Sequence, residues 1–176
     1  MSEGIEAGVA LATAPSLSRR MASFVYEGLI LFGILLIPAA LGAALNALTG
    51  QQHPLRFEAL LPVISFVIYA LYFTWFWSVR GQTLPMQTWR IRVVTTQGEP
   101  LSRPRALIRY VASYAWFAPA FLVATVNGWT FGPKFAAIGV GVVVYALLAL
   151  LHPQRQFWHD ALCGTRLIPE RPVSTA

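Results

Sequence analysis

Between residues 28 and 45 the chain runs for 18 residues without a charged side chain. As an α-helix such a run rises about 27 Å, close to the roughly 30 Å of a bilayer's hydrocarbon core. Three more uncharged stretches follow, at residues 59–79, 110–133 and 135–154. Asn127, Gly128, Gly132 and Pro133 mark the end of the third as a turn. Only 11% of residues are charged and 56% are hydrophobic, with a mean hydropathy of +0.58. A soluble domain carries about 25% charged residues, so this chain has too few to cover a globule in water. The prediction is an all-α membrane protein: a four-helix transmembrane bundle with spans at about 22–46, 59–79, 106–127 and 134–152.

Four spans put both termini on one side. With the N-terminus inside, Arg19, Arg20, Arg80, Arg90, Arg92, Arg103, Arg105, Arg109, Arg155, Arg166 and Arg171 fall on the inner side, and only Arg56 and Lys134 on the outer. That asymmetry predicts cytoplasmic termini. It also gives the net charge of +6 a meaning in topology and contact with anionic lipid rather than nucleic acid, for which no motif is present. The short outer loops make spans one and two, and three and four, antiparallel neighbours.

Residues 1–17 carry Glu3 and Glu6 where a signal peptide would be basic, and read as a flexible cytoplasmic tail. Residues 18–169 read as one membrane domain and 170–176 as a C-terminal tail. Pro38 and Pro119 lie inside apolar helices, where each removes a backbone bond and favours a kink. Tyr69, Tyr72, Phe73 and Phe76 fall at helical spacing and read as packing; Trp75 and Trp77, just before Arg80, read as an interfacial belt. Ala137 and Gly141, with Gly139 between them, permit close helix approach. Residues 91–95 and 165–168 are strand-like, with Gln97-Gly98 as a turn, and are expected to pair as a small two-stranded cytoplasmic platform; an unstructured interfacial loop is the alternative. Ser102 is placed as an N-cap with Pro104 in the first helical turn.

Three segments in this order resemble one family: Arg20 with an acid seven residues on, the run GQTLPMQTWRIRVVTTQGEPLSRPRALIRY, and RQFWHDALCGTRLI near the C-terminus. The chain resembles the RDD family of bacterial membrane proteins, named for one arginine and two aspartates. The resemblance covers about residues 15–169. It implies that Arg20 matches the family arginine and Asp160 the second aspartate. Glu27 stands where the first aspartate is expected and reaches one methylene further. Pro85 and Met86 stand where the family often has a glycine and a basic residue. The family's proposed transport role becomes an expectation here, in a bacterial inner membrane.

Glu27 shares a helix face with Arg20. Two readings stay open for it: a proton- or cation-binding group, or half of an ion pair that fixes packing. As an ion pair its best partner is Arg109, at matching depth in span three, and then Arg105, four residues earlier on the same face. Asp160 is expected to cap a helix or to pair with Arg20, Arg90 or Arg92. His159 and Cys163 could meet on a helix but lack the company a nucleophilic site needs. His53 and His152 sit near opposite ends of spans, and Asn46 and Asn127 are expected to close helix ends. No Cys/His spacing suggests zinc, one cysteine excludes an intrachain disulfide, and no glycine-rich phosphate loop is present. No enzyme activity, cofactor or metal is expected. The expected partners are the lipid bilayer and either a second copy of the chain, as a homo-oligomer, or a membrane partner protein. Two functions stay open: transport of a small solute or ion as an oligomer, or a non-catalytic assembly protein that binds partners through its platform.

Overall fold

A computed structural model describes residues 13–49 and 57–170. The expectations for the tail before residue 13, for His53 and Arg56, and for residues 171–176 lie outside the described residues.

The apolar runs form helices. α1 spans Leu17–Thr49 and passes through Pro38 and Asn46 unbroken, so Asn46 does not close it. α2 spans Phe57–Val79. Gly81 then takes φ +67, and a Cβ there would sit 3.0 Å from the Val93 carbonyl oxygen. The Gly81 carbonyl accepts from the Val93 N–H at 2.8 Å, so only glycine fits this turn without strain. The short α3, Leu84–Thr88, starts at Thr83 with proline in its first turn. α4 spans Arg103–Ser113 behind Ser102, which takes the expected N-cap backbone without a side-chain capping bond. After a 3₁₀ turn, Tyr114–Trp116, α5 covers Ala118–Val126, and the two helices meet at a bend of 47°. Pro119 sits in the first turn of α5 and cannot donate back into the preceding turn, which accounts for the bend. Asn127 closes α5 by donating its side-chain amide to the Val123 carbonyl at 2.7 Å. α6 spans Phe131–Leu148 and runs on as a 3₁₀ turn, Ala149–Leu151. α7, Trp158–Leu162, completes the helices among the described residues.

Three helices are long and apolar enough to cross a membrane, and the bent pair makes a fourth if it is one span. Away from the sheet their large side chains face outward, as Leu29, Phe32, Ile37, Leu41, Phe131 and Val140 do. A bilayer is the medium in which such a surface is stable.

The two expected strands form. β1, Ile91–Thr95, pairs antiparallel with β2, Thr165–Pro169, with Val93 opposite Leu167. Side chains cover what the two strands leave open. The Gln156 amide exchanges two 2.9 Å bonds with the Leu167 backbone, and Gln82 donates to the Ile91 carbonyl at 2.9 Å. Glu170 receives Gln82 and Arg92, each at 2.6 Å. The Arg19 side chain donates to the carbonyls of Trp89 and Arg90, tying the start of α1 to the entry of β1.

α1 and α4 begin beside this sheet, and α2 and α6 end there. α2 packs along α4, and α5 along α6. The buried core lies at the sheet end, around Ile91, Val93, Tyr110, Trp116, Phe157 and Leu167. Trp77 belongs to it, packed on Phe73 with ring centroids 4.6 Å apart. The expected interfacial belt is therefore corrected for Trp77. Trp75 faces outward, and two further residues along α2, a rotation of about 200°, turn Trp77 into the core.

Candidate functional site

Five charged side chains are buried among the described residues: Arg20 is 4% exposed, Glu27 8%, Arg109 5% and Asp160 0%, gathered where the helices meet the sheet, and Arg166 on β2 is 7% exposed. Three buried arginines stand against two buried carboxylates, and Arg166 is not among the residues that line the cavity described below.

The direct pair is not the expected one. Arg109 Nε donates to Asp160 Oδ1 at 2.7 Å, and its guanidinium lies 4.0 Å above the Trp77 ring. α7 packs against α4 and brings Asp160 to Arg109, which corrects the direct Arg109–Glu27 pair and the Arg90 or Arg92 partners expected for Asp160; Arg20 feels the Asp160 charge without making a direct ion pair with it. Arg90 offers its carbonyl to the Glu170 N–H, and Arg92 pairs with Glu170. Arg105 stands exposed on α4, one turn outside the cluster, so it does not share Arg109's surroundings.

Burial by itself raises the Asp160 carboxyl, but Arg109, His159 and the Thr165 hydroxyl hold it below the usual carboxylate range. Thr165 shares its hydroxyl proton between the Asp160 carbonyl at 3.1 Å and Oδ1 at 3.3 Å. His159 is pushed down to about 4, chiefly by burial, with Asp160 opposing and Arg109 adding to the shift. It is neutral at ordinary pH, and its tautomer follows from its neighbours. The Tyr145 hydroxyl accepts the His159 backbone N–H at 3.0 Å and so spends its own proton on Nδ1, also at 3.0 Å. The ring proton is left on Nε2, 3.6 Å from Asp160 Oδ1. Cys163 meets His159 through backbone alone, its N–H on the His159 carbonyl. Burial and the neighbouring Asp160 raise its thiol, which makes it a poor nucleophile. His152 accepts the Gln154 N–H through Nδ1 and packs edge-on against Trp158, away from the cluster.

Arg20 and Glu27 have no ion-pair partner among the described residues. The Arg20 guanidinium lies 4.4 Å above the Phe157 ring, and its Nε and Nη1 have no hydrogen-bond partner. Glu27 faces the interior as expected. Its Oε2 accepts the Thr83 hydroxyl at 2.5 Å, and Oε1 has no hydrogen-bond partner. The Tyr72 hydroxyl lies near the same carboxylate without reaching hydrogen-bond geometry. The residue that holds Glu27 is thus the N-cap of α3. Sequence could have marked Thr83 as a cap ahead of Leu84-Pro85, though not as a partner 56 residues away from Glu27.

Arg20 and Glu27 both line one partly open cavity of about 330 Å³ between α1, α2, α4 and the sheet end. Its walls are mainly aromatic, from Phe24, Tyr69, Phe73, Tyr110 and Trp116. A small, largely apolar cavity with a few convergent polar groups is the usual form of a small-molecule site. Among the described residues no group of three or more His, Cys, Asp or Glu side chains is placed to hold a metal ion.

These features define a polytopic helical membrane protein with a small two-stranded sheet at one end and a charged, aromatic-walled cavity beside it. The RDD family model matches residues 14–164, and the chain belongs to the RDD family. No curated protein and no solved structure matches the chain.

Proposed function

We propose that the protein is a transporter subunit of a bacterial inner membrane, moving a small solute or ion as part of a homo-oligomer. The observation that carries this reading is the cavity among the apolar helices, lined by Arg20 and Glu27, neither of which has an ion-pair partner among the described residues. Buried polar groups at membrane depth are costly and tend to be kept where they handle a substrate. The cytoplasmic placement of both termini rests on the positive-inside bias: the described arginines lie toward the sheet end of their helices, and Lys134 lies at the start of α6. One copy offers few intramembrane polar groups for a path, hence the oligomer. No catalytic step is assigned: the buried, neutral His159 is held by Tyr145, and the Cys163 thiol is suppressed.

A second reading, a partner-binding assembly protein, draws on α7, where Leu162 and Trp158 are exposed beside the sheet. Flux decides between the two. Purified protein in liposomes is given labelled sodium ion, L-phenylalanine and 6-aminohexanoate, with Glu27→Gln and protein-free vesicles alongside. Transport predicts uptake of at least one probe above the protein-free rate, altered in Glu27→Gln. Uptake of all three at the protein-free rate contradicts it and favours the assembly reading.

A further inference from the structure

We propose that the cavity binds a small zwitterion, one that carries a carboxylate and an amine on an apolar frame. This deepens the transport reading and rests on the same cavity. Arg109 and Asp160 neutralise one another directly at 2.7 Å. Asp160 also acts electrostatically on Arg20, and Arg109 on Glu27, but neither makes a direct ion pair with them, and Arg20 and Glu27, opposite in sign, both stand on the cavity wall. Each keeps atoms without a hydrogen-bond partner: two donor nitrogens on Arg20 and one acceptor oxygen on Glu27. Arg20 is 4% exposed, so bulk water does not meet its needs.

An anion alone would answer Arg20 and meet repulsion from Glu27. A cation alone would do the reverse. In a low-dielectric pocket that repulsion is felt strongly, and a ligand with both charges and no net charge avoids it. The two residues stand seven positions apart on one helix, about 10 Å by helix rise. Their long side chains shorten the gap, which suits a ligand whose charges are several ångströms apart. The walls fit the rest of such a molecule. Tyr69, Phe73 and Tyr110 offer faces for an ammonium group, through the attraction of a cation to a ring quadrupole, and apolar surface for a hydrocarbon frame. The carboxylate then takes Arg20 and the amine takes the Glu27 carboxylate.

Trp77 and Trp116 line the same cavity, so intrinsic tryptophan fluorescence reports its occupancy. The probes are 6-aminohexanoate and L-phenylalanine, with hexanoate and hexylamine as analogues that each lack one charge. In detergent-solubilised wild-type protein, a zwitterion is expected to give a saturable signal, with hexanoate and hexylamine weaker by about tenfold or more. Arg20→Gln and Glu27→Gln should each weaken the zwitterion by a similar factor, and Arg20→Lys should retain part of the binding. The wild-type comparison among the four probes stands whether or not a variant folds. No saturable signal from either zwitterion, or equal binding of hexanoate or hexylamine, overturns the proposal. Sodium flux without zwitterion binding would overturn this inference alone, and zwitterion binding without flux would overturn transport alone.

Discussion

At the scale of single residues the fold turns on where the buried charges beside the cavity find partners. Asp160 is fully enclosed and takes Arg109, while Glu27 takes a hydroxyl. Spacing puts Glu27 and Arg109 at matching depth in two apolar helices, and both side chains are indeed buried. Spacing could not show that α7 would carry a carboxylate to Arg109 first, because that contact joins residues 51 apart and leaves no periodic trace. The pairing has a measurable consequence. Breaking a buried ion pair strands a charge at a cost of about 3–5 kcal/mol, whereas removing both partners spares that penalty. Arg109→Ala and Asp160→Ala should each sharply lower the yield of monodisperse, detergent-extracted protein, and the double variant should recover part of the loss. Arg109→Ala with Glu27→Ala should show no such recovery. Size-exclusion yields across the cycle test this, and recovery in the Glu27 pair instead would place the ion pair wrongly.

At the scale of elements the sequence was most readable where one period or one residue type decides the structure. Uncharged runs became helices, β-branched runs became the two strands, and Pro119 marked the bend before α5. What escaped was side-chain work between elements: Gln156 along β2, Arg19 on the turn before β1, and Trp77 turned inward onto Arg109. Each is a contact of a polar or aromatic tip with distant backbone or charge, and spacing says nothing of such tips. The small-residue signal in α6 did find its use. A Cβ on Gly141 would fall 2.8 Å from Ala120 Cβ in α5, while one on Gly132 or Gly139 meets nothing within 4 Å. Gly141→Ala should therefore cost about 1–3 kcal/mol by overpacking, seen as a lower melting temperature in detergent, while Gly139→Ala stays neutral or gains slightly. Adding Ala120→Gly to Gly141→Ala should restore much of the loss. A Gly141→Ala protein as stable as wild type would mean that α5 and α6 do not approach so closely.

At the scale of the whole molecule, the sheet, α3, α7 and the buried charges gather at one end, and the helices extend away from it with apolar surfaces outward. Net charge, hydropathy and the order of the runs made this polarity legible before any coordinate. The cavity was not legible, because it arises where α1, α2 and α4 fail to close over Arg20 and Glu27. Four crossings require the bent pair to be one span, since α4 and α5 joined in this way return α6 to the sheet side. Topology reporters fused after Gln97, in the turn beyond β1, and after Gly128, between α5 and α6, read this directly. A cytoplasmic signal at Gln97 and a periplasmic signal at Gly128 are expected. A cytoplasmic signal at Gly128 would make the bent pair a re-entrant loop, and a periplasmic signal at Gln97 would invert the protein; either result contradicts a four-span bundle with its sheet in the cytoplasm.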